Sequence, residues 1–336
     1  MQLPLKTVCF GDRGPAGETI ASIYGPERLE MLARTTQLYP RTVTRSNLAN
    51  CLPDLGEVEA MFCTWGMFPL TSAELDQMPR LRAVFYAAGT VGYFAHPFME
   101  RGVTLVSAWA ANAVPVAEFT LAQILLANKG FFLNQRDYRG AQDYSGAFRG
   151  QGNYGATVAV LGAGQIGRKL IELLRPFRLR VIVHDPFLSY KAAEGLGVEK
   201  VGLAEAFSCG DVVSNHLANV PATVGLLNAT LFESLKGNAT FINTGRGATV
   251  NHHDLDHVFS RRKDLTALLD VTDPEPLPGD SSLRTLPNVV ITSHIAGSIG
   301  TEVGRVADWI LEEFEAWRQG LPLRYEITSE LVATLA

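Results

Sequence analysis

The chain has 336 residues, 47% of them hydrophobic, and a formal net charge of −5 at pH 7. A chain of this length is expected to form two domains of about 150 residues each. Its slightly acidic balance offers no broad basic surface. This argues against nucleic acid or an anionic membrane as the main partner and favours an enzyme that acts on a small molecule.

The four cysteines, Cys9, Cys51, Cys63 and Cys209, are scattered and show neither a CxxC spacing nor a disulfide framework. They are therefore expected to be reduced thiols. The N-terminal stretch has no signal-peptide pattern, and no apolar run approaches the roughly 20 residues that span a bilayer. These observations predict a cytoplasmic protein that does not bind membranes.

Segments rich in β-forming residues alternate with helix-like segments in the N-terminal part of the chain. Candidate strands at 6–10, 59–63, 82–87 and 103–108 predict a small α/β domain. The next segment, 115–131, is predicted to be a long, largely buried helix that begins at Pro115. Its apolar positions are Val116, Phe119, Leu121, Ile124, Leu125 and Phe131.

A second series of candidate strands occupies the rest of the chain, at 157–161, 180–184, 212–215, 239–243, 266–271 and 288–292. Strands separated in this way by helices predict one doubly wound parallel sheet. After the last strand, segment 300–320 has apolar residues at intervals of three and four. It is predicted to be an amphipathic helix that returns the chain to the first domain.

The first strand of this second series leads into the glycine-rich turn LGAGQIG. Gly162, Gly164 and Gly167 form the pattern GxGxxG between a strand and a helix. The first glycine allows a tight turn, the second lets the backbone approach a pyrophosphate, and the third permits close packing of helix and strand. The N–H groups near Gln165 and Ile166 open the helix and are predicted to face the phosphates. The turn therefore predicts a dinucleotide site.

The next strand ends in an acidic residue, Asp185, about 20 residues after the glycine-rich turn. A carboxylate at this position bonds both hydroxyls of an adenine ribose and repels a 2′-phosphate. No arginine occupies the following few positions. The predicted cofactor is therefore NAD, and NADP is disfavoured.

Polar side chains follow each of the last three strands. Arg246 comes just after the fourth strand of the series, Asp270 ends the fifth with Glu275 beyond it, and His294 follows the sixth. Each alone has an ordinary explanation, as a loop arginine, a capping acid or a core histidine. Open parallel sheets, however, bind ligands outside the carboxyl ends of their strands. Together these residues predict an active site at the nicotinamide end of a bound NAD.

The stretches VAEFTLAQILL, VLGAGQIGRKL, HDP, FINTGRG, LLDVTDPEPLP and ITSHIAGS follow one another between about residue 112 and residue 300. In these motifs, their order and their spacing, the chain resembles the D-isomer-specific 2-hydroxyacid dehydrogenase family, alongside 3-phosphoglycerate dehydrogenases and glyoxylate/hydroxypyruvate reductases. The resemblance implies a Rossmann-type NAD domain, 115–298, inserted in a smaller flavodoxin-like α/β substrate domain, 1–114 and 299–336. It also implies a homodimer formed through the helix near 115–131 and flanking segments.

The chemistry of these residues assigns roles that the resemblance supports. Arg246 is expected to pair with the carboxylate and the carbonyl of a 2-oxo acid. His294 is expected to protonate the carbonyl oxygen as hydride reaches the carbon, and to act as the base in the oxidation direction. Glu275 would hold the imidazole and favour its charged form. Asp270 would face the nicotinamide carboxamide.

Further residues are expected to line the cofactor because of their positions after the strands. Those near the adenine and pyrophosphate are His216, Leu217 and Thr223. Those beneath the nicotinamide ribose are Asn243, Thr244 and Gly245, and Gly297 is expected to leave clearance for the backbone beside the nicotinamide.

Substrate contacts are less well defined in the N-terminal part. In the family, a loop such as GxGxDNID binds the substrate carboxylate through backbone N–H groups. The corresponding loop, 87–97, lacks both the aspartate and the asparagine, and its candidate contacts are Gly89, Thr90, Val91 and Gly92. Trp65 is expected either to form a bulky pocket wall or to pack in the small domain's own core.

The motifs leave alternatives to the dehydrogenase interpretation. An NAD(H)-sensing corepressor on the same fold would share the dinucleotide site, although the sequence shows no additional tails or disordered arms. A formate dehydrogenase is expected to have glutamine where Glu275 stands.

The stretch NHHDLDH, 251–257, places His253 and His257 one helical turn apart, as in many metal sites. The stretch also opens a helix, and aspartate is favoured near a helix N-terminus by the helix dipole. No metal site is therefore predicted.

Overall fold

The computed structural model describes residues 4–332. Its strands are β1 (Lys6–Phe10), β2 (Gln37–Leu38), β3 (Ala60–Cys63), β4 (Ala83–Tyr86), β5 (Thr104–Ser107), β6 (Thr157–Leu161), β7 (Arg180–His184), β8 (Glu199–Lys200), β9 (Val212–Asn215), β10 (Thr240–Asn243), β11 (Thr266–Leu269) and β12 (Val289–Ile291). Its α-helices are α1 (Ile20–Thr35), α2 (Leu48–Cys51), α3 (Ser72–Leu75), α4 (His96–Met99), α5 (Trp109–Asn128), α6 (Phe131–Asp137), α7 (Gln165–Leu174), α8 (Tyr190–Leu196), α9 (Leu203–Cys209), α10 (Ala229–Glu233), α11 (His252–Arg261), α12 (Val303–Arg318) and α13 (Ser329–Val332).

The chain forms two compact units. The first unit contains the residues up to Asn112 and those from Ser298 onward, and the second unit is Ala113–Gly297. The first division falls inside α5, and the second falls just before a short 3₁₀ turn at Gly300–Glu302.

The first unit contains a five-stranded parallel sheet in the order β2-β1-β3-β4-β5, which is the flavodoxin-like order. Strand β2 was not predicted, because its two residues are too short to carry a pattern. On one face of the sheet, Phe314 of α12 packs edge-on against Phe62 and Phe85, with ring centroids 5.0 and 5.3 Å apart. The predicted amphipathic helix therefore belongs to the core of the first unit.

The second unit contains a seven-stranded parallel sheet in the order β12-β11-β10-β9-β6-β7-β8. This is the Rossmann order with one additional strand at the β12 edge. The six predicted strands are confirmed, and the strand missed is β8, a two-residue edge strand. The order reverses between β6 and β9, which is the crevice where sheets of this kind bind dinucleotides.

Helix α5 corrects the sequence-based boundaries. It begins at Trp109 rather than at Pro115, because the alanine-rich residues before the proline favour helix strongly. It ends at Asn128, and Phe131 belongs to α6, where it is 48% exposed rather than buried. Gly130, with a positive φ of 69°, separates the two helices.

Helix α5 is also long and apolar enough, by length and composition alone, to cross a membrane. The expectation that no segment approaches this length was therefore wrong. Core helices of water-soluble proteins meet the same criterion, and α5 contributes Ala117, Ile124 and Ala127 to a buried cluster of the second unit.

Candidate active site

The carboxyl ends of β10, β11 and β12 lie side by side in the second unit. Asn243 is paired with Leu269, and Leu269 is paired with Ile291. The segments that leave these strand ends carry Arg246, Asp270 with Glu275, and His294. The register of the sheet therefore brings the predicted catalytic segments to one edge.

Asp270 holds the turn that carries the histidine. One carboxylate oxygen accepts hydrogen bonds from the Thr292 hydroxyl at 2.6 Å and the Ile295 N–H at 2.8 Å, and the other accepts from the Ala296 N–H at 2.9 Å. The backbone carbonyl of Asp270 also accepts from the His294 N–H at 3.0 Å. Asp270 is 2% exposed, so its carboxylate faces this turn and not an open surface.

The structure gives Asp270 a positioning role, and its contact with the nicotinamide carboxamide stays a prediction. Its side chain is committed to three donors within the same unit. The sequence indicated an acid at the end of a strand. It did not indicate that the turn after β12 would donate hydrogen bonds to this acid.

His294 adopts a left-handed backbone conformation, with φ of 61°. Among residues 4–332 the other non-glycine residue with a positive φ is Asn238, and asparagine tolerates this region better than histidine does. A strained conformation of this kind persists where the surrounding bonds enforce it, and here the bonds to Asp270 do so.

The imidazole of His294 is paired with a carboxylate. Its Nδ1 lies 2.6 Å from Oε1 of Glu275, so that Nδ1–H donates to the carboxylate and Nε2 is the other proton-carrying position. The two side chains are 50% and 42% exposed, which leaves the pair accessible to a ligand.

Arg246 lies in the same electrostatic neighbourhood. The pKa of its guanidinium is lowered because the group is buried, and the negative charge of Glu275 partly opposes this shift. Gly247 explains the proximity, because a Cβ atom there would lie 2.0 Å from the carbonyl oxygen of Thr272. The absence of a side chain at Gly247 lets the loop after β11 approach the arginine.

The turn that presents Arg246 is built from inward-facing amides. Oδ1 of Asn243 accepts from Nδ2 of Asn215 at 3.0 Å and from the Gly245 N–H at 3.1 Å. Nδ2 of Asn215 also donates to the Thr249 hydroxyl at 2.8 Å, and that hydroxyl donates to the Arg246 carbonyl at 2.8 Å. The side chain of Asn243 thus shapes the turn. Sequence reasoning missed both Asn215 and Thr249, although a polar residue at the end of a buried strand, such as Asn215, is a usable signal.

A second buried network contains His216 and Thr244. Nε2 of His216 lies 2.9 Å from the Ser214 hydroxyl, and Nδ1 lies 3.3 Å from the Thr244 hydroxyl, which in turn lies 3.0 Å from that of Thr120 in α5. Burial lowers the pKa of His216 to about 3, so its imidazole is neutral at physiological pH. The ring is enclosed within the unit, and the contact of His216 with the cofactor stays a prediction.

The other residues expected near the adenine side also face the protein. Leu217 is buried, and the Thr223 hydroxyl ties its own loop by donating to carbonyls of that loop, those of Ala218 at 2.6 Å and Val220 at 2.9 Å. Gly245 packs closely, since a Cβ atom there would lie 3.0 Å from the Asn215 carbonyl oxygen. Gly297 is the last residue of the second unit.

The glycine-rich turn fits a dinucleotide. Gly162 has φ of +91°, and a Cβ atom there would lie 2.7 Å from the His216 carbonyl oxygen, at the crevice between β6 and β9. A Cβ atom on Gly167 would lie 2.0 Å from the Gly162 carbonyl oxygen. In contrast, no atom lies within 4 Å of a Cβ built on Gly164, and Gly164 and Gln165 are exposed at the start of α7. Open space in front of a helix N-terminus is what a pyrophosphate requires.

Asp185 is fixed beside this turn. One of its carboxylate oxygens accepts from the Ala163 N–H at 2.7 Å, and the other accepts from the N–H groups of Phe187 at 2.7 Å and Leu188 at 3.1 Å. The carboxylate is therefore oriented before any ligand binds. The bond to Ala163 places it directly beside the glycine-rich turn.

In the first unit, the loop after β4 is held by Ser107. The Ser107 hydroxyl is within 2.8 Å of the Ala88 carbonyl oxygen and 2.6 Å of the Gly89 carbonyl oxygen. Nothing lies within 4 Å of a Cβ atom built on Gly89 or Gly92, so the backbone there is open to a ligand. Thr90 is partly buried. Val91 is fully buried in the core, so only its backbone could make the predicted contact.

Two aromatic residues of the first unit were also considered for the site. The sequence left open whether Trp65 forms a pocket wall or packs in the core. Trp65 is partly buried and packs against core clusters on both faces of the first unit, which favours the packing alternative. Tyr93, which was not predicted, is 49% exposed, and its hydroxyl lies 3.2 Å from that of the buried Tyr86.

The cluster at 251–257 forms the start of α11, with Asn251 as its N-cap. The His253 side chain is 91% exposed and lies 3.7 Å from Asp254. Within residues 4–332, no group of three or more His, Cys, Asp or Glu side chains is arranged to hold a metal ion.

Solved structures share this fold over nearly the whole chain. A phosphoglycerate oxidoreductase from Rhizobium etli covers 98% of this chain and 99% of its own, with a TM-score of 0.79 and 24% identity. The apo D-mandelate dehydrogenase of Rhodotorula graminis covers 97% and 98%, with a TM-score of 0.79 and 18% identity. At these identities the likeness shows the fold.

Sequence comparison adds the family. A D-3-phosphoglycerate dehydrogenase from Archaeoglobus fulgidus is 30% identical over 225 residues, which cover 67% of this chain and 43% of that protein. The chain thus spans less than half of the length of that curated relative. Residues 121–296, more than half of the chain, match the family model described as "D-isomer specific 2-hydroxyacid dehydrogenase, NAD binding domain". The chain therefore belongs to the D-isomer-specific 2-hydroxyacid dehydrogenase family, and its cofactor is NAD(H).

Proposed function

We propose that this protein is an NAD-dependent 2-hydroxyacid dehydrogenase, which reduces a small 2-oxo acid or runs in reverse. The observation that carries the proposal is the 2.6 Å pair of His294 and Glu275 beside Arg246, at the carboxyl edge of a dinucleotide-binding sheet. An oxidoreductase of this kind needs an acid–base group and a carboxylate-binding cation in one place.

The bound cofactor would supply or accept the hydride. Arg246, with its guanidinium largely removed from water, would bind the substrate carboxylate strongly and polarise the 2-oxo group. His294 would hold a proton at Nε2 and donate it to the carbonyl oxygen, while Glu275 fixes the ring through Nδ1. Exclusion of water from the bound substrate would strengthen the contacts that Arg246 and His294 make with it.

A turnover assay tests this proposal directly. A panel of 2-oxo acids would be mixed with the protein and NADH, and nicotinamide absorbance would be followed. The panel should include phosphorylated and aromatic members, because the relatives are named as phosphoglycerate and mandelate dehydrogenases. Absence of turnover by a folded preparation that binds NADH would contradict the dehydrogenase proposal. The relatives named are oxidoreductases, and no observation favours a corepressor.

Cofactor preference depends on Asp185. Its carboxylate, oriented by three backbone N–H groups, would bond the ribose hydroxyls of NAD and repel the 2′-phosphate of NADP. We expect NADH to bind at least tenfold more tightly than NADPH. Asp185→Ser should narrow this ratio of affinities, whereas Asp280→Ser, at an exposed aspartate, should leave the ratio unchanged.

The proposed substrate contacts in the first unit are the backbone N–H groups of loop 87–97. The open positions at Gly89 and Gly92, and the fixation of this loop by Ser107, support this assignment. On this basis the first unit is proposed as the substrate domain and the second as the NAD domain.

We further propose a homodimer that uses the surface next to α5 and α6. Aromatic side chains are exposed there in a continuous series, with Tyr138 and Tyr144 6.3 Å apart and Tyr144 and Phe148 5.6 Å apart between ring centroids. Tyr144 is 64% exposed and Phe148 is 71% exposed. An exposed apolar patch of this kind usually marks an interface. Light scattering should report twice the chain mass, and Tyr144→Ser with Phe148→Ser should shift it toward the monomer.

A cytoplasmic location without nucleic acid or membrane partners completes the proposal. It is supported by the net charge of −5 and by the packing of α5 into a core cluster. Cell fractionation would test it, and recovery of the protein in the membrane fraction would contradict it.

A further inference from the structure

Two hydrogen-bond donors in the first unit are buried without a partner. They are the indole Nε1 of Trp109, at the start of α5, and the guanidinium Nη1 of Arg305, in the first turn of α12. Neither atom has a hydrogen-bond acceptor among residues 4–332. Buried donors are nearly always satisfied, and a charged donor is the most costly to leave unmet.

The acids that could neutralise Arg305 along its own helix are engaged elsewhere. Asp308, three residues later, accepts two hydrogen bonds from Arg28, at 2.6 and 2.8 Å. Glu302, three residues earlier, accepts the Ile299 N–H at 3.0 Å. These two acids therefore do not compensate the positive charge of Arg305.

An aromatic series leads from Trp109 to the helix that carries Arg305. The ring of Trp109 meets Tyr325 edge-on at 6.4 Å between centroids, and Tyr325 stacks on Trp309 at 5.0 Å. Trp309 lies one helical turn after Arg305 on α12, so both side chains are on the same face of that helix. The segments are also tied together where the Ser298 N–H donates to Oδ1 of Asn112 at 2.9 Å.

This group lies at the ligand-binding edge of the first unit. Trp109 comes two residues after the end of β5, and the Tyr325 carbonyl accepts the Ser107 N–H at 3.2 Å. The carboxyl ends of strands in an open parallel sheet are where ligands bind.

We propose that Arg305 and Trp109 form an oxyanion-binding subsite of the first unit, walled by Tyr325 and Trp309. The ligand is a small organic oxyanion, either a carboxylate or a phosphate ester. Its oxygens would accept from the guanidinium and the indole N–H, and its carbon atoms would contact the aromatic rings. This subsite does not include Arg246, which lies in the second unit.

Binding to the full chain tests the subsite independently of catalysis. Acetate, succinate and glycerol 3-phosphate would be titrated at constant ionic strength, with calorimetry and tryptophan fluorescence as readouts. At least one of them should bind saturably and raise the midpoint of thermal unfolding. Whether carboxylates or the phosphate ester bind more tightly identifies the class of ligand.

The variants Arg305→Gln and Trp109→Phe should weaken that binding, by at least tenfold and by a few-fold respectively. They should also remove or reduce the anion-dependent rise in thermal midpoint. Arg41→Gln is the matched control, since Arg41 is exposed in the same unit and loses the same charge. Circular dichroism would establish that each variant is folded, and Arg305→Lys serves as a second variant that keeps the charge and should retain part of the binding.

The proposal is overturned if the wild-type chain shows no saturable binding of any of the three anions. It is also overturned if folded Arg305→Gln binds them as tightly as wild type does, or if Arg41→Gln weakens binding to the same extent. None of these results depends on turnover or on NADH, so they are distinct from a failure of the proposed dehydrogenase activity.

Discussion

The carboxyl ends of the strands carry different kinds of residues in the two sheets. In the second unit the edge carries ionisable side chains that hydrogen bonds hold in place: His294 is bonded to Glu275, and Asp270 is bonded to the turn that carries His294. In the first unit the loop after β4 offers small residues and open backbone at Gly89 and Gly92. Under the proposed function, proton transfer requires oriented ionisable side chains in the second unit, whereas the first unit would add only backbone N–H groups to the carboxylate binding by Arg246.

The largest expected effect tests whether proton transfer belongs to the second unit alone. His294→Ala should lower kcat by about 10³-fold, within the range for loss of a general acid. NADH affinity should stay within about threefold by fluorescence titration, since the residue is not expected to bind the cofactor strongly. His253→Ala, at an exposed histidine of the same unit, is the control. A collapse of NADH affinity in folded His294→Ala would contradict the acid–base role.

The next largest effect concerns Asp270, which holds the turn that carries His294. Asp270→Asn should lower the free energy of unfolding by about 3 kcal/mol, because one of its oxygens becomes an N–H₂ donor facing other donors. Chemical denaturation would measure the change. Asp280→Asn, at an exposed residue, should change stability by less than about 0.5 kcal/mol. Equal stability of the two variants would remove Asp270 from this positioning role.

A smaller effect comes from the neutral, buried His216. Its pKa is lowered from the ordinary 6.5 to about 3, so the unfolded chain binds a proton that the folded chain does not between these values. Stability from this group is therefore complete above pH 6.5 and is lost as pH falls toward 3, by about 2 kcal/mol at pH 5. The measurement is urea unfolding at pH 7 and pH 5 for wild type and His216→Gln. The variant should show a correspondingly smaller pH dependence, and an unchanged pH dependence would contradict the assignment.

Substitutions of Gly164 and Gly89 would test the cofactor site of the second unit and the substrate loop of the first unit separately. Neither Gly164 nor Gly89 has an atom within 4 Å of a built Cβ, so alanine at either position should leave the fold intact. Gly164→Ala should weaken NADH binding about tenfold by obstructing the pyrophosphate, and Gly89→Ala should raise the substrate KM by a similar factor. Titration and steady-state kinetics separate the two effects. If both variants changed the same parameter, the proposed division of roles between the units would fail.

The sequence predicted the parts of the molecule whose signals are local. Gly162, Gly164 and Gly167 are separated by fixed intervals that only one backbone geometry requires, and the strand runs stand out because both faces of a parallel sheet are buried. The two-residue strands β2 and β8 carry no such period. The start of α5 was misplaced because the proline that suggests a helix start lies inside a helix already favoured by alanines.

The site was predicted less completely than the fold, because hydrogen-bond partners depend on tertiary register. The pairing of His294 with Glu275 could be anticipated from motif order. The inward orientation of His216, Asn243 and Asp270 could not, since a polar residue at a strand end can face either a ligand or the next turn. Tyr93 and the buried donors of Trp109 and Arg305 were missed for the same reason.

The left-handed backbone at His294 has a consequence for how this protein can change. A residue with a side chain pays roughly 1 kcal/mol to hold that conformation, and glycine does not. His294→Gly is therefore expected to be inactive yet no less stable than wild type, by thermal unfolding, and His294→Val should be clearly less stable. At position 294, selection for stability and selection for turnover therefore favour different residues. The backbone conformation alone favours glycine, which would abolish activity.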